Sequence, residues 1–255
     1  MKKILAFLGI NINFGISNIK GLYWFISDYR KFKAQNKSDL GFPITKLFPI
    51  IHDKFDSSGI LSGHYFHQDL HIAQDIFYKS PIKHVDIGSR TDGFVAHVAS
   101  FREIEVFDIR PLESTVTNIK FIQSDFTNIN PNLENYTDSI SCLHAIEHFG
   151  LGRYNDTLDK DGHLKGLNAI YKTLKKEGIF YFSTPIGNQR IEFNAHRVFG
   201  IKYLLDLFEN KYKILSFSYV DDKGDLYKNV ELTSTMISQN LNCNYGCGIF
   251  ILKKI

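Results

Sequence analysis

The 255 residues carry 44% hydrophobic and 22% charged side chains, enough apolar material for a full buried core and too much for a disordered chain. A net charge of +3 with dispersed basic residues lacks the single-sign stripe of a duplex-binding surface, so no nucleic-acid partner is expected, while a small anionic substrate remains compatible. Cys142, Cys243 and Cys247 are odd in number and read as small apolar fillers in a reducing, cytoplasmic setting, and Cys243 with Cys247 alone lacks the further ligands of a zinc finger.

Met1-Lys2-Lys3 and the apolar run Ile4 to Ile10 imitate a secretion signal, but Asn11 and Asn13 cut the run short and no small-x-small cleavage site follows. The run is also shorter than the ~20 apolar residues of a membrane span, so no transmembrane segment is expected. Residues 1–60 are aromatic-rich and basic, and Tyr23-Trp24-Phe25 with Tyr29 to Lys33 are spaced as a partly amphipathic helix. The expected organisation is therefore an N-terminal helical extension over 1–60 and a main domain over 61–255. Such a helix suits packing on the main domain or on a second subunit, as in a homodimer, with contact at a membrane surface as the other reading.

Gly59 to Gly63 marks a loop, and the helix expected from His67 to Phe77 places Leu70, Ala73 and Phe77 on one face. The stretch His84 to Gly93 then reads as a strand running into a glycine turn. Asp86 stands near the strand end, Gly88 permits a turn conformation closed to other residues, and Phe94 to Ala99 continue with helical spacing. Such a corner aims backbone N–H groups and a helix N-terminus at a ligand.

Strands and helices alternate from there, the pattern of a parallel sheet covered on both faces. The strands expected are Val85–Ile87, Ile104–Phe107, Ile119–Ile122, Ser139–Leu143 and Ile179–Ser183. Leu167, Ile170, Tyr171 and Leu174 follow a helical i, i+3, i+4, i+7 pattern, with Gly178 placed as a C-terminal cap. An irregular polar stretch from Pro185 to Arg197 precedes a helix over 201–208 and two closing strands, Tyr212–Val220 and Tyr245–Leu252, simplest as an antiparallel pair.

Three ligands compete for the glycine corner. A phosphate loop needs a lysine after its second glycine, where Phe94 stands. A dinucleotide fingerprint needs a middle glycine, where Arg90 would crowd a pyrophosphate. Asp108, ending the second strand 20 residues past Gly88, stands where a carboxylate accepts from ribose hydroxyls. A ribose-bearing ligand without a pyrophosphate satisfies both facts, which demotes NAD and an NAD-dependent oxidoreductase without excluding them. A non-catalytic nucleotide-binding protein is the other alternative.

These residues resemble the class I S-adenosylmethionine-dependent methyltransferases. Asp86-Ile87-Gly88, with Ser89 and Arg90 in the turn, matches the family's first motif, and Asp108 its second. Gln123-Ser124-Asp125-Phe126 looks like the segment where a carboxylate meets the adenine amine and a ring lies against the base. Ser141 to His148 looks like the fourth-strand segment ending in Glu-His. The resemblance covers residues 60–255 and implies S-adenosylmethionine as cofactor and a Rossmann-like sheet of order 3-2-1-4-5-7-6 with the last strand antiparallel. Arg90 departs from the pattern, where a second glycine is usual. More narrowly, His64 to Asp69, His84 to Arg90 and Phe193 to Phe199 look like methyltransferase-like proteins of bacterial surface-polysaccharide clusters. That likeness implies O-methylation of a sugar hydroxyl, on a nucleotide-diphosphate sugar such as a GDP-heptose, for capsule or lipopolysaccharide.

A sugar hydroxyl must lose its proton during transfer, and a base with a pKa near working pH at the strand ends points to His144, His148 and His196. Glu147 stands where it could orient them. Arg190, Asn194 and Arg197 in the polar stretch suit hydroxyls and phosphates and are the candidates for gripping a diphosphate. His67, with His64 and Tyr65, is placed to cover the cofactor, whereas His52, His71, His97 and His163 read as surface or packing residues. His144-x-x-Glu147-His148 also spells an inverted zinc-protease motif, but a strand ending at His144 breaks the single helix it requires. No resident metal is expected, although a divalent ion assists some sugar methyltransferases.

Overall fold

In the computed structural model, which describes residues 12–35, 42–128 and 131–255, the five apolar segments expected as strands are the parallel half of one sheet. The chain divides into two units, Met1–Ile60 and Leu61–Ile255. In the first unit, α1 (Ile12–Gln35) is the expected helix, and residues 42–60 run without regular structure except a single helical turn, Asp53–Phe55. Lys54 pairs with Asp28 at 2.5 Å and lies over the Trp24 ring. The signal-like run over 1–10 lies outside the described residues. Among those described, no helix is long and apolar enough to cross a membrane.

The second unit begins with α2 (His64–Lys79), followed by β1 (His84–Ile87), a wide turn of helix over Thr91–Val95, α3 (Ala96–Ala99), β2 (Ile104–Asp108), β3 (Ile119–Gln123) and β4 (Thr137–Leu143). Next come α4 (Gly162–Thr173), β5 (Leu174–Ile186), a hairpin of β6 (Arg190–Glu192) and β7 (His196–Val198), α5 (Ile201–Phe208), β8 (Tyr212–Val220), β9 (Leu226–Tyr227), α6 (Ser234–Ser238) and β10 (Gly246–Lys254).

The sheet order is β3-β2-β1-β4-β5-β10-β8-β9. With β8 and β10 counted as the sixth and seventh main strands, this is the expected 3-2-1-4-5-7-6 with a short edge strand added. β1 to β5 are parallel, and β10 lies antiparallel between β5 and β8. Side chains alternate across the sheet, so each strand feeds two cores. Ile104, Val106, Ile249 and Ile251 pack with Ile72 and Ile76 of α2 and Val98 of α3, whereas Phe107, Phe250 and Leu252 join Ile170 of α4 and Leu204 and Phe208 of α5. All three cysteines are buried and free, as expected of small fillers.

Three details differ from expectation. Leu70 and Phe77 of α2 are exposed, and the buried stripe is Gln68, Asp69, Ile72, Ala73 and Ile76. The stripe is one residue away from the apolar reading because two of its positions are polar, with Gln68 accepting from Ser183 Oγ at 2.5 Å. Helix α4 ends at Thr173, and Gly178 lies inside β5. Its terminal carbonyls are capped from elsewhere: the Asn135 and Tyr136 amides donate to Lys172 and Thr173, and Lys254 Nζ donates to the Tyr171 and Leu174 carbonyls. The stretch after Pro185 contains the β6–β7 hairpin, which pairs Arg190 with Val198 and Glu192 with His196.

Candidate active site

A cavity of about 620 Å³ opens at the carboxyl ends of β1 to β4. Its first wall is the glycine turn and the residues just past β2 and β3. Gly88 holds φ at +70°, and a Cβ there would stand 3.1 Å from that of Ala145, so the turn needs glycine both for conformation and for close approach. Arg90 lines the cavity, chelates Asp92 through Nε and Nη2, and lies over the Tyr65 ring.

Asp86 and Ser89 stand behind this wall and do not line the cavity, which corrects their reading as ligand contacts. Asp86 is fully buried and accepts from the Ser89 amide (2.9 Å), Ser89 Oγ (2.7 Å) and Ser141 Oγ (2.5 Å). Burial nevertheless pushes its carboxyl up to about 6, against the pull of those three donors. Together they lock the turn that presents Gly88.

Asp108 lines the cavity with both carboxylate oxygens held by the side chain of Arg110, at 3.0 and 2.5 Å, and the Arg110 amide adds a third bond at 2.8 Å. Asp125 accepts from the Thr127 amide and hydroxyl at 2.8 and 2.7 Å. Phe126 is buried edge-on against Phe107, leaving an aromatic floor between the two carboxylates.

The second wall is assembled from β4, the hairpin and the approach to β10. His144 sits at the end of β4 with φ at +50°. Its Nδ1 is 2.9 Å from Glu147 Oε1, and its Nε2 is buried without a hydrogen-bond partner among the described residues. Burial opposes charge on both residues, yet the neighbouring Cys247 and Glu147 hold the His144 pKa well above the ordinary value, and His144 keeps that of Glu147 low. His148 is different. Its Nδ1 is 2.7 Å from the Ala195 carbonyl, which can only accept, so Nδ1 carries the proton and Nε2 keeps its lone pair. Burial lowers its pKa, with Glu147, 3.8 Å from Nε2, opposing. His196 lines the same wall against the Tyr245 ring, 3.3 Å from Glu192.

Four further expected contacts are not in the cavity. His67 is half-buried on α2 outside the lining, and Tyr65 occupies that position instead. Arg190 bonds Glu192 and the carbonyls of Asn188 and Asn244, and Asn194 lies at the exposed tip of the hairpin. Arg197 is buried and donates to the main-chain carbonyls of Glu147, Phe149 and Lys160. It fastens the hairpin under the histidines and has no face toward a diphosphate. The cavity's cations are instead Arg90, Arg110 and Arg153, with Arg110 4.6 Å and Arg153 5.1 Å from the Tyr154 ring. Arg110 could have been found from its position two residues past Asp108, but Arg153, Tyr154 and Tyr245 are gathered by tertiary folding and carry no local signal.

This sheet, with its antiparallel seventh strand and a cavity at the carboxyl ends of the parallel strands, is the Rossmann-like fold of class I methyltransferases. The chain belongs to the family described as "Caenorhabditis protein of unknown function, DUF268", which matches residues 94–255. No curated protein matches the sequence. Among solved structures, the N-methyltransferase NodS from Bradyrhizobium japonicum WM9 is similar over 76% of this chain and 99% of its own, at 10% identity and a TM-score of 0.51. An S-adenosylmethionine-dependent methyltransferase from Clostridium acetobutylicum ATCC 824 is similar over 74% and 91%, at 14% identity and a TM-score of 0.49. The 1,6-didemethyltoxoflavin-N1-methyltransferase from Burkholderia thailandensis, solved with S-adenosylhomocysteine, is similar over 73% and 78%, at 13% identity and a TM-score of 0.48. At such identities the common property is the fold.

Proposed function

We propose that the chain is an S-adenosylmethionine-dependent methyltransferase that methylates a hydroxyl of a nucleotide-diphosphate sugar, within a main domain spanning 61–255 and preceded by an extension over 1–60. The observation that carries this reading is the first wall: a glycine turn open only to Gly88, the carboxylates of Asp108 and Asp125, and an aromatic floor, all bordering one cavity. A volume of about 620 Å³ falls in the usual range for small-molecule sites.

In this reading the Gly88 turn and Arg90 hold the methionine end, Asp108 takes the ribose hydroxyls and Asp125 with Phe126 the adenine. Asp108 keeps one acceptor site free beside its three bonds to Arg110, so it can accept from a ribose hydroxyl without releasing the arginine. When bound, S-adenosylmethionine supplies a methyl group on a good leaving group, so the protein's share of the work is alignment and proton removal. Of the three histidines, His148 fits the base best. Its Nδ1 proton is committed to Ala195, which leaves Nε2 to take the hydroxyl proton, and Glu147 stabilises the imidazolium that forms. His144 is committed to Glu147 on one side and buried on the other, and serves to position Glu147. Arg153 and Arg110 offer the bidentate donors that suit a diphosphate, in place of Arg190 and Arg197. An activated sugar for capsule or lipopolysaccharide would place the work in the cytoplasm.

The test is transfer of labelled methyl from S-adenosylmethionine to a panel of nucleotide-diphosphate sugars. Product is expected with at least one of them, and His148→Ala should lower turnover ~100-fold or more at unchanged cofactor affinity. Transfer only to free sugars, or a normal rate in His148→Ala, would remove the substrate class or the base, respectively.

A further inference from the structure

We propose that His64, His144 and Cys247 bind one zinc-type metal ion behind the second wall of the cavity. The three come from separate segments, the first residue of α2, the end of β4 and the second residue of β10, yet their ligating atoms all lie within 4.8 Å of one another. Sequence spacing could not reveal such a set, because it is closed by tertiary folding alone.

Several features prepare these side chains for a cation. His144 Nδ1 is 2.9 Å from the Glu147 carboxylate, which as acceptor fixes a proton on that nitrogen and leaves Nε2 facing the cluster, where binding an ion displaces the Nε2 proton. A carboxylate behind a ligating histidine is the usual outer-shell support of a metal site. Nε2 itself is buried with no hydrogen-bond partner among the described residues, a destabilising state unless something occupies it. The His64 ring also stacks on that of Tyr245, with centroids 5.5 Å apart, which orients it as well.

The two imidazole centres are 5.2 Å apart with planes at 19°. Two histidines sharing a tetrahedral ion at Zn–N of about 2.0 to 2.1 Å have ring centres roughly 5 Å apart, so the rings already stand at the right separation. Two imidazoles and a thiolate form a borderline-soft set that suits zinc and rejects magnesium and calcium, which take oxygen ligands. Three protein ligands leave one tetrahedral position for water or another small ligand.

The same residues could be read as a thiol nucleophile, base and orienting carboxylate. That reading fails on access: Cys247 is fully buried and is not part of the cavity wall, so its sulfur meets no substrate. The ion would instead tie the start of α2 to the sheet. Tyr65, next to His64 on that helix, lines the cavity with its ring 5.1 Å from that of His144, so the tie also fixes the cover of the site. The inference does not depend on methyl transfer.

The experiment loads the purified full chain with zinc alone, removes loose metal by desalting and measures zinc per chain. The chain should retain about one equivalent, and both Cys247→Ser and His64→Gln should lose it while keeping the wild-type circular dichroism spectrum. Cobalt loaded in place of zinc should give a thiolate-to-metal charge-transfer band that disappears in Cys247→Ser. His64→Gln, at the edge of the cluster, keeps the question answerable if the buried Cys247→Ser does not fold. Wild-type protein without retained zinc, equal retention in both variants, or a cobalt spectrum without a thiolate band would overturn the proposal.

Discussion

The two walls of the cavity hold their functional groups by different means. On the first wall the cavity-facing carboxylates are latched within one short segment: Asp108 by Arg110, and Asp125 by Thr127, each two residues away. On the second wall, besides the local pairs His144–Glu147 and His196–Glu192, the latches are long-range: His148 to Ala195, Arg153 to Ala195, and Arg197 to the carbonyls of Phe149 and Lys160. A side chain of the first kind can be removed with little damage beyond its own contact. One of the second kind holds two segments together, so its removal lowers stability and function together.

The largest effect is expected where the second wall is fastened. Arg197→Ala would leave one buried and two part-buried carbonyls without their donor and should cost about 3 kcal/mol in denaturant unfolding. A loss below about 1 kcal/mol would mean that the hairpin is held without it, and the distinction between the walls would weaken.

Next comes Asp86, the buried carboxylate under the first wall. Its pKa is raised in the folded state from the ordinary 3.8 to about 6. A raised pKa means that the folded chain binds the proton more tightly, so this contribution to stability is complete below the unfolded value and is lost as pH rises through the folded one. Asp86→Asn removes that loss. Relative to wild type the variant should gain up to about 3 kcal/mol between roughly pH 4 and 7, read as the difference between two stability–pH curves. A difference that stays flat across this window would contradict the assignment.

The smallest effect is expected at Asp108. Asp108→Ala should weaken S-adenosylmethionine binding ~10-fold, the scale of one or two hydrogen bonds, with the unfolding midpoint little changed. Unchanged affinity would remove its ribose role, and a large loss of stability would put it with the second wall.

The same contrast explains what could be read in the chain before folding. Strands such as His84–Ile87 and Ile104–Asp108 are short runs with an acid at or one residue before the end, and a parallel sheet places those ends together, so Gly88, Asp108 and Phe126 were legible as one wall. The buried face of α2 was hidden because Gln68 and Asp69 occupy two of its positions. The end of α4 was misplaced because its cap is Lys254, 80 residues from Leu174. Arg197 read as a grip for a diphosphate because nothing nearby in the sequence announces the carbonyls that bury it. Arg153 and Tyr245 were missed for the same reason, since their place in the cavity is set by folding alone.

The central claim is that the first wall binds S-adenosylmethionine, and a calorimetric titration of the full chain is its most direct test. S-adenosylmethionine and S-adenosylhomocysteine should each bind at micromolar concentration with about one site per chain, and NAD should not. Binding of NAD with no response to S-adenosylmethionine or S-adenosylhomocysteine at high micromolar concentration would contradict the account.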